Sequence, residues 1–253
     1  MSDADGWSEI APAWARSWGD VARPVHLRLI EACRVEAGAA VLDVGCGSGE
    51  FLALLSQRGA RVAGADPADG MLELARRAVP DGDLRRAGWD ALPWADASFD
   101  VVTAVNALQF ADGTHEALVE ACRLIRPGGV IAIANWADRA LNDLDAIETA
   151  LAEASGDETP PDGELRRPGG IEGALEEVEL ELVEAGLVDV PWTVANDDDL
   201  VRAVLLVDDV ADIGVEDRRL VVGAARPFRR LDGSYELRNA YRYAVGRRPG
   251  AGA

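Results

Sequence analysis

Residues 41–50, "VLDVGCGSGE", decide how this chain folds. An apolar run ends in Asp43, and Gly45, Gly47 and Gly49 then alternate with Cys46 and Ser48 before a second acid, Glu50. A strand that passes through a glycine-rich loop into a helix brings backbone N–H groups and a helix N-terminus to one ligand. A dinucleotide site uses G-x-G-x-x-G, with pyrophosphate on the helix start. Here the spacing is G-x-G-x-G, and the sixth place of the dinucleotide pattern is Glu50. A carboxylate in the first helical turn suits the helix dipole and repels a phosphate placed there. The loop therefore favours a nucleoside ligand without phosphate.

Outward from this loop, short apolar runs are separated by helical stretches. "AAVLDV", "ARVAGAD", "DLRRAG", "FDVVTAV" and "GVIAIANW" read as strands, with helices near 49–58, 68–78 and 114–125 between them. This alternation predicts an α/β fold with a parallel sheet covered on both faces and ligands outside the carboxyl ends of the strands. Upstream, residues 7–36 read as two helices broken near "SWGD", with Pro24 in the first turn of the second. Downstream come a helix at 140–154, the flexible connection "SGDETPPDGELRRPGG", a helix at 171–185, the strand "GLVDVPWTV", a helical region over 197–226 and a last strand, "YELRNAYRYAVG". Alternation along that last strand puts Arg238 and Arg242 on one face and Asn239 and Tyr241 on the other. No repeat or independent second domain is visible. Residues 1–253 form a single domain, with a helical cap (1–36), a ligand-binding core (37–137) and a lid with C-terminal strands (138–253).

Composition narrows the partners. Aspartate and glutamate outnumber basic residues 45 to 25, every basic residue is arginine, and the formal net charge is −20. Such a surface repels nucleic-acid backbones and anionic membranes, so neither is expected as a partner. The charge serves solubility or the attraction of a cationic substrate. Cys33, Cys46 and Cys122 are far apart and lack metal-ligand spacing, so no disulfide framework or metal site is expected. The first residues, "MSDADGWSEI", are acidic where a signal peptide is basic, and no apolar run approaches the ~20 residues of a membrane span. A cytoplasmic location is expected.

The segments "VLDVGCGSG", "GADPADGMLELAR", "ALPWADASFDVV", "NALQF" and "EACRLIRPGGVIAIANW" together resemble, in order and spacing, the class I S-adenosylmethionine (SAM) methyltransferases, and within them the UbiE-like or type 11 group. The resemblance implies a Rossmann-like, seven-stranded, mostly parallel sheet with helices on both faces and a helical lid. It also implies SAM as cofactor and a small-molecule acceptor, methylated at carbon, nitrogen or oxygen, in a monomer or homodimer. By that resemblance Gly45, Cys46, Gly47 and Gly49 line the methionine and ribose part of SAM, and Asp43 orients its amino group through the loop. Asp66, followed by Pro67, accepts the ribose hydroxyls, and Met71 packs on adenine. One departure stands out. Relatives commonly read "GDAEALPF" where this chain has "AGWDALPW", which puts Gly88 in the place of an adenine-binding aspartate. Either Asp90 supplies the acceptor or Trp89 covers the adenine while backbone groups recognise it.

Methyl transfer from a sulfonium needs alignment more than a conspicuous catalytic group. If the acceptor is a hydroxyl or an acidic carbon, a base helps, and His26 on the second helix is the candidate, while His115 reads as structural. Asn106 and Gln109 follow the fourth strand, and Asn135 and Trp136 end the fifth, so all four lie on the carboxyl edge where the acceptor belongs. Asn106 and Trp136 join His26 as candidate catalytic residues. Trp14, Trp18, Gln109, Asn135 and Tyr241 are candidate substrate contacts, since an aromatic face holds a sulfonium or a cationic acceptor; Trp7 reads as a hydrophobic clamp. Two alternatives stay open: a methyltransferase fold with non-methylating chemistry, and a NAD-dependent oxidoreductase, which Glu50 disfavours.

Overall fold

The structure, a computed structural model, describes residues 3–159, 161–207, 209, 211 and 213–250. Strands β1 (Ala40–Val44), β2 (Arg61–Asp66), β3 (Asp83–Arg86), β4 (Phe99–Val105) and β5 (Ile125–Trp136) run parallel in the order β3-β2-β1-β4-β5. Two later strands complete the seven-stranded sheet: β9 (Ala240–Arg247) pairs antiparallel with β5, and β6 (Glu181–Asp189) pairs antiparallel with β9 at the edge.

Burial on both faces explains why the central strands are nearly continuous apolar runs. Every residue of β1 is buried. Leu42 and Val44 join the core under α5 (Thr114–Leu124) and α7 (Gly170–Glu177). Val41 joins the opposite core under α2 (Arg23–Ala32), α3 (Glu50–Gln57) and α4 (Asp69–Ala78). Truncating fully buried Leu42 to alanine costs about 2–5 kcal/mol.

A third core builds the lid. Leu144 and Ile147 of α6 (Leu144–Ser155), Leu200 and Val201 of α8 (Asp197–Leu205), and Val221 of α9 (Val215–Ala224) pack with Tyr235 and Trp192. The last two lie on a separate two-stranded sheet, β7 (Trp192–Val194) with β8 (Tyr235–Leu237). Helix α1 (Asp3–Trp18) closes the remaining side by packing Ala11, Trp7 and Trp14 on Met71 of α4.

Four expectations of local structure are corrected. The helix expected over 171–185 ends at Glu177, Glu179 takes the left-handed φ of +60°, and 181–189 is strand β6. The glutamate-rich stretch has helical character, but pairing with β9 decides its state, as tertiary context does for strands generally. The single last strand expected over 235–246 is two strands in two sheets. Residues 142–144 wedge between them: Ala240 N donates to Asn142 Oδ1 at 3.0 Å, Arg238 N to Asp143 Oδ2 at 2.7 Å, and Leu144 N to Asn239 Oδ1 at 3.1 Å. Arg238 lies between the two strands and is exposed, whereas Arg242 on β9 is held by Asp138. Likewise "GLVDVPWTV" splits at Pro191, which has no N–H for a ladder, and the helical expectation over 197–226 holds for α8 and α9 only, with Asp208, Val210 and Asp212 outside the described residues.

Candidate functional site

A cavity of about 790 Å³ opens at the carboxyl ends of β1, β2, β4 and β5, where the topology directs a ligand. Glycine loop, α1, α2, α6, α8 and the start of β9 all contribute to its wall.

The three glycines divide their labour. All have left-handed φ, +72° at Gly45, +52° at Gly47 and +92° at Gly49. A side chain at Gly45 would overlap Ala107 Cβ, and one at Gly49 would stand 2.8 Å from Ala75 Cα. Those two glycines allow the loop to seat against the β4 turn and α4. Of the three, only Gly47 has open space at its Cβ position, the nearest atom being Trp14 Cζ3 at 4.0 Å. Gly49, expected against the ligand, is turned to α4 and is not part of the wall, whereas Gly45, Cys46 and Gly47 are.

Carboxylates fix this loop. The parallel register sets Asp43 opposite Thr103, whose Oγ1 donates to Asp43 Oδ1 at 2.7 Å. Burial pushes the Asp43 carboxyl up to about 7 against that hydrogen bond, with nearby Asp66 adding to the rise. Asp66 accepts Gly47 N at 3.0 Å on Oδ2 and Ala68 N at 2.9 Å on Oδ1, while burial raises its pKa. Both acids line the cavity. Glu50 also lines it, held by Ser48 Oγ at 2.7 and 2.9 Å from its two oxygens. A negative charge therefore occupies the N-terminal turn of α3, the place a pyrophosphate takes in a dinucleotide site.

Beyond β2 the wall is mostly apolar. Met71, Pro67 and Trp89 border it, and the Trp89 indole N–H donates to Ala107 O at 3.2 Å. At Gly88 a Cβ would lie 3.1 Å from Asp90 Oδ1, so the Asp90 carboxyl reaches the space a side chain at 88 would use. Trp7 stands edge-on to both Trp14, at 6.4 Å, and exposed Phe110, at 6.0 Å, roofing this end.

The other end is built by the lid. The Trp18 indole stacks on Trp192 at 4.5 Å and donates to Ala203 O at 2.9 Å, leaving an edge on the cavity. Trp136 and Tyr241 lie tilted at 4.3 Å. Asn106, with left-handed φ of +51°, donates from Nδ2 to Tyr241 Oη at 2.5 Å and accepts Trp136 N at 3.0 Å. Both ends of its amide are thus engaged in positioning those rings. His26 is 6% exposed, stacks on Phe51 at 4.6 Å, lines the wall and has no partner for Nδ1. Burial, with a smaller contribution from Arg23, pushes its imidazole down to about 3, so it is neutral near pH 7.

Most residues singled out from the sequence thus meet at one cavity, Gln109 among them. Besides Gly49, Asn135 does not: it is buried in β5 away from the wall, because side chains alternate along a strand and the next residue, Trp136, takes the cavity side. His115 is exposed at the start of α5. Sequence reading missed Thr103, visible only through the β1–β4 register, and Glu148, Val204 and Leu206, which the lid brings to the wall. Among the described residues no group of three or more His, Cys, Asp or Glu side chains is arranged to hold a metal ion, and no helix is long and apolar enough to cross a membrane.

Comparison with known proteins agrees with this geometry. The family model described as a methyltransferase domain matches residues 42–133. Methyltransferase GfsG of Streptomyces halstedii is 38% identical over 133 residues, 50% of this chain and 47% of the relative. The malonyl-[acyl-carrier protein] O-methyltransferase of Pectobacterium atrosepticum is 36% identical over 141 residues, 53% of this chain and 56% of the relative. The chain spans about half the length of these curated relatives. Among solved structures, the [4+2]-cyclase SpnF shares the fold at a TM-score of 0.61 and 16% identity, covering 93% of this chain and 83% of that chain. Since that name states a chemistry other than methyl transfer, fold likeness carries the scaffold and not the reaction. The matched span, residues 42–133, holds the glycine loop, the acid ending β2 and the carboxyl end of β4, and over that span the chain matches the methyltransferase domain family.

Proposed function

We propose that this protein binds SAM and transfers its methyl group to a small-molecule acceptor. The observation that carries the reading is the Gly47–Asp66 hydrogen bond, which joins the open glycine of the loop to the β2 acid on one cavity wall. Each Asp66 oxygen takes one backbone N–H and keeps lone pairs for ribose hydroxyls, and Glu50 disfavours phosphate at the adjacent helix start. The donor set thus fits a phosphate-free nucleoside. When bound, SAM supplies an electrophilic methyl carbon on a sulfonium, whose C–S electron pair stays with sulfur as a nucleophile takes the methyl.

The chain's own residues bind and align. The Gly45–Gly47 backbone, with Asp43 behind it, borders the methionine part; Asp66 accepts from the ribose; Met71 and Trp89 flank the base, with Asp90 as acceptor for its amino group. Trp14 covers the loop. Trp18, Gln109 and Tyr241 face the acceptor, Asn106 positions Tyr241 and Trp136, and neutral His26 offers a hydrogen-bonding nitrogen. Malonyl-acyl carrier protein, suggested by one relative's name, is less well supported as acceptor: a malonyl group carries a free carboxylate, and no arginine is part of the wall among the described residues.

Calorimetric titration with SAM, S-adenosylhomocysteine and NADH tests the cofactor reading. Binding of both sulfur nucleosides and not of NADH is expected. NADH binding alone overturns the reading, and SAM binding without transfer to any of a broad set of small acceptors favours non-methylating chemistry on the same fold.

A further inference from the structure

The acceptor end of the cavity has a definite chemical character. Its rings are Trp18, Trp136 and Tyr241, its aliphatic surface is Leu144, Val204 and Leu206, and its acidic side chain is Glu148 of α6. Glu148 is exposed on the cavity side, while surrounding protein and the neighbouring Asp145 carboxylate raise its pKa. The guanidiniums that act on Glu148, those of Arg139 and Arg166, are bound to Asp145 at 2.9 and 2.5 Å, and neither is part of the wall. His26 adds no charge there, and the far end of the same cavity carries Asp43, Glu50, Asp66 and Asp90.

An anionic acceptor entering this space would meet carboxylates without a compensating cation, at a cost that grows as water is excluded. A protonated amine would meet the reverse: a carboxylate, aromatic faces that attract cations, and the buried imidazole of His26, whose Nδ1 has no partner. Resting on the methyltransferase reading above, we infer that the acceptor is an apolar amine, held with its nitrogen between Glu148, His26 and the Trp136–Tyr241 pair; it binds as the ammonium, gives one proton to the Glu148 carboxylate, and the freed nitrogen lone pair takes the methyl group while the C–S electron pair stays with sulfur. The net charge of −20 favours the approach of such a cation.

The test compares three probes of one shape, 2-phenylethylamine, 2-phenylethanol and 3-phenylpropionate, titrated calorimetrically into the full chain with and without saturating S-adenosylhomocysteine. The amine is expected to bind at least about tenfold more tightly than the carboxylate, and Glu148→Gln to weaken the amine about tenfold while leaving the alcohol unchanged, the range for a hydrogen bond to a charged group. Equal binding of the three, binding of none, preference for the carboxylate, or an amine preference that survives Glu148→Gln overturns the inference. S-adenosylhomocysteine titrated alone into both proteins separates the two levels. If it fails to bind wild type, the cofactor reading fails; if it binds and the probes do not follow the expected order, only the amine assignment falls.

Discussion

Thr103 Oγ1 donates to Asp43 Oδ1 at 2.7 Å, across a register that pairs these residues on β1 and β4. This is the main support for a carboxylate that is 3% exposed and raised to about 7 by burial. Unfolded, an aspartate loses its proton near pH 3.9. Between about 4 and 7 the folded chain therefore keeps a proton that the unfolded chain has lost, and stability falls as pH rises through that window. Asp43→Asn retains an acceptor for Thr103 without the charge. It is expected to raise stability at pH 8 by on the order of 1–3 kcal/mol, with the gain shrinking towards pH 4. Urea unfolding at both pH values checks this, and a difference independent of pH would refute it.

His26 carries the opposite sign. Its imidazole is lowered to about 3, so below the unfolded value of about 6.5 the unfolded chain takes up a proton that the folded chain refuses. Stability contributed by neutral His26 is present above about 6.5 and is lost as pH falls towards 3. Proton NMR of the His26 ring is expected to show no titration between pH 8 and 5, and His26→Gln to lose less stability over that range than wild type. A ring that titrates near 6.5 would contradict its burial.

Asp66→Ala removes the proposed ribose acceptor and the tether of the loop together. S-adenosylhomocysteine affinity is expected to drop by about 1.5–3 kcal/mol, the range for hydrogen bonds to a charged group. Unchanged affinity in a variant with wild-type circular dichroism would fell the ribose role.

Gly47→Val puts a branched side chain at φ +52° and projects it at Trp14 across the cavity. The strain costs roughly 1–3 kcal/mol, and cofactor binding is expected to be lost in a chain that still folds. Gly47→Ala separates the two effects, since its Cβ meets nothing nearer than 4.0 Å. Normal S-adenosylhomocysteine binding by the valine variant would show that no ligand approaches this backbone.

Asp90→Ala tests the departure at Gly88. The Asp90 carboxyl lies 3.1 Å from the position a Cβ at 88 would take, so its loss is expected to weaken S-adenosylhomocysteine by about tenfold, one charged hydrogen bond at a partly exposed site. An unaffected dissociation constant would assign adenine recognition to Trp89 and the backbone.

The parallel half of the sheet was legible because burial on two faces writes itself as apolar runs, and "VLDVGCGSGE" marked the turn between the first strand and α3. The sequence determined by itself that Gly45, Gly47 and Gly49 are needed, and that Glu50 stands where a phosphate would. Only the tertiary structure decided that Gly45 and Gly49 answer to Ala107 and Ala75 while a side chain at Gly47 would project into the ligand space. The same holds for 181–185, helical by local preference and a strand because β9 offers it hydrogen bonds, and for 235–246, broken in two by the 142–144 wedge. Glu148 and Thr103 carried no local signal. Their roles depend on which surface a lid helix presents and on how two strands align, and contacts distant in the chain set both.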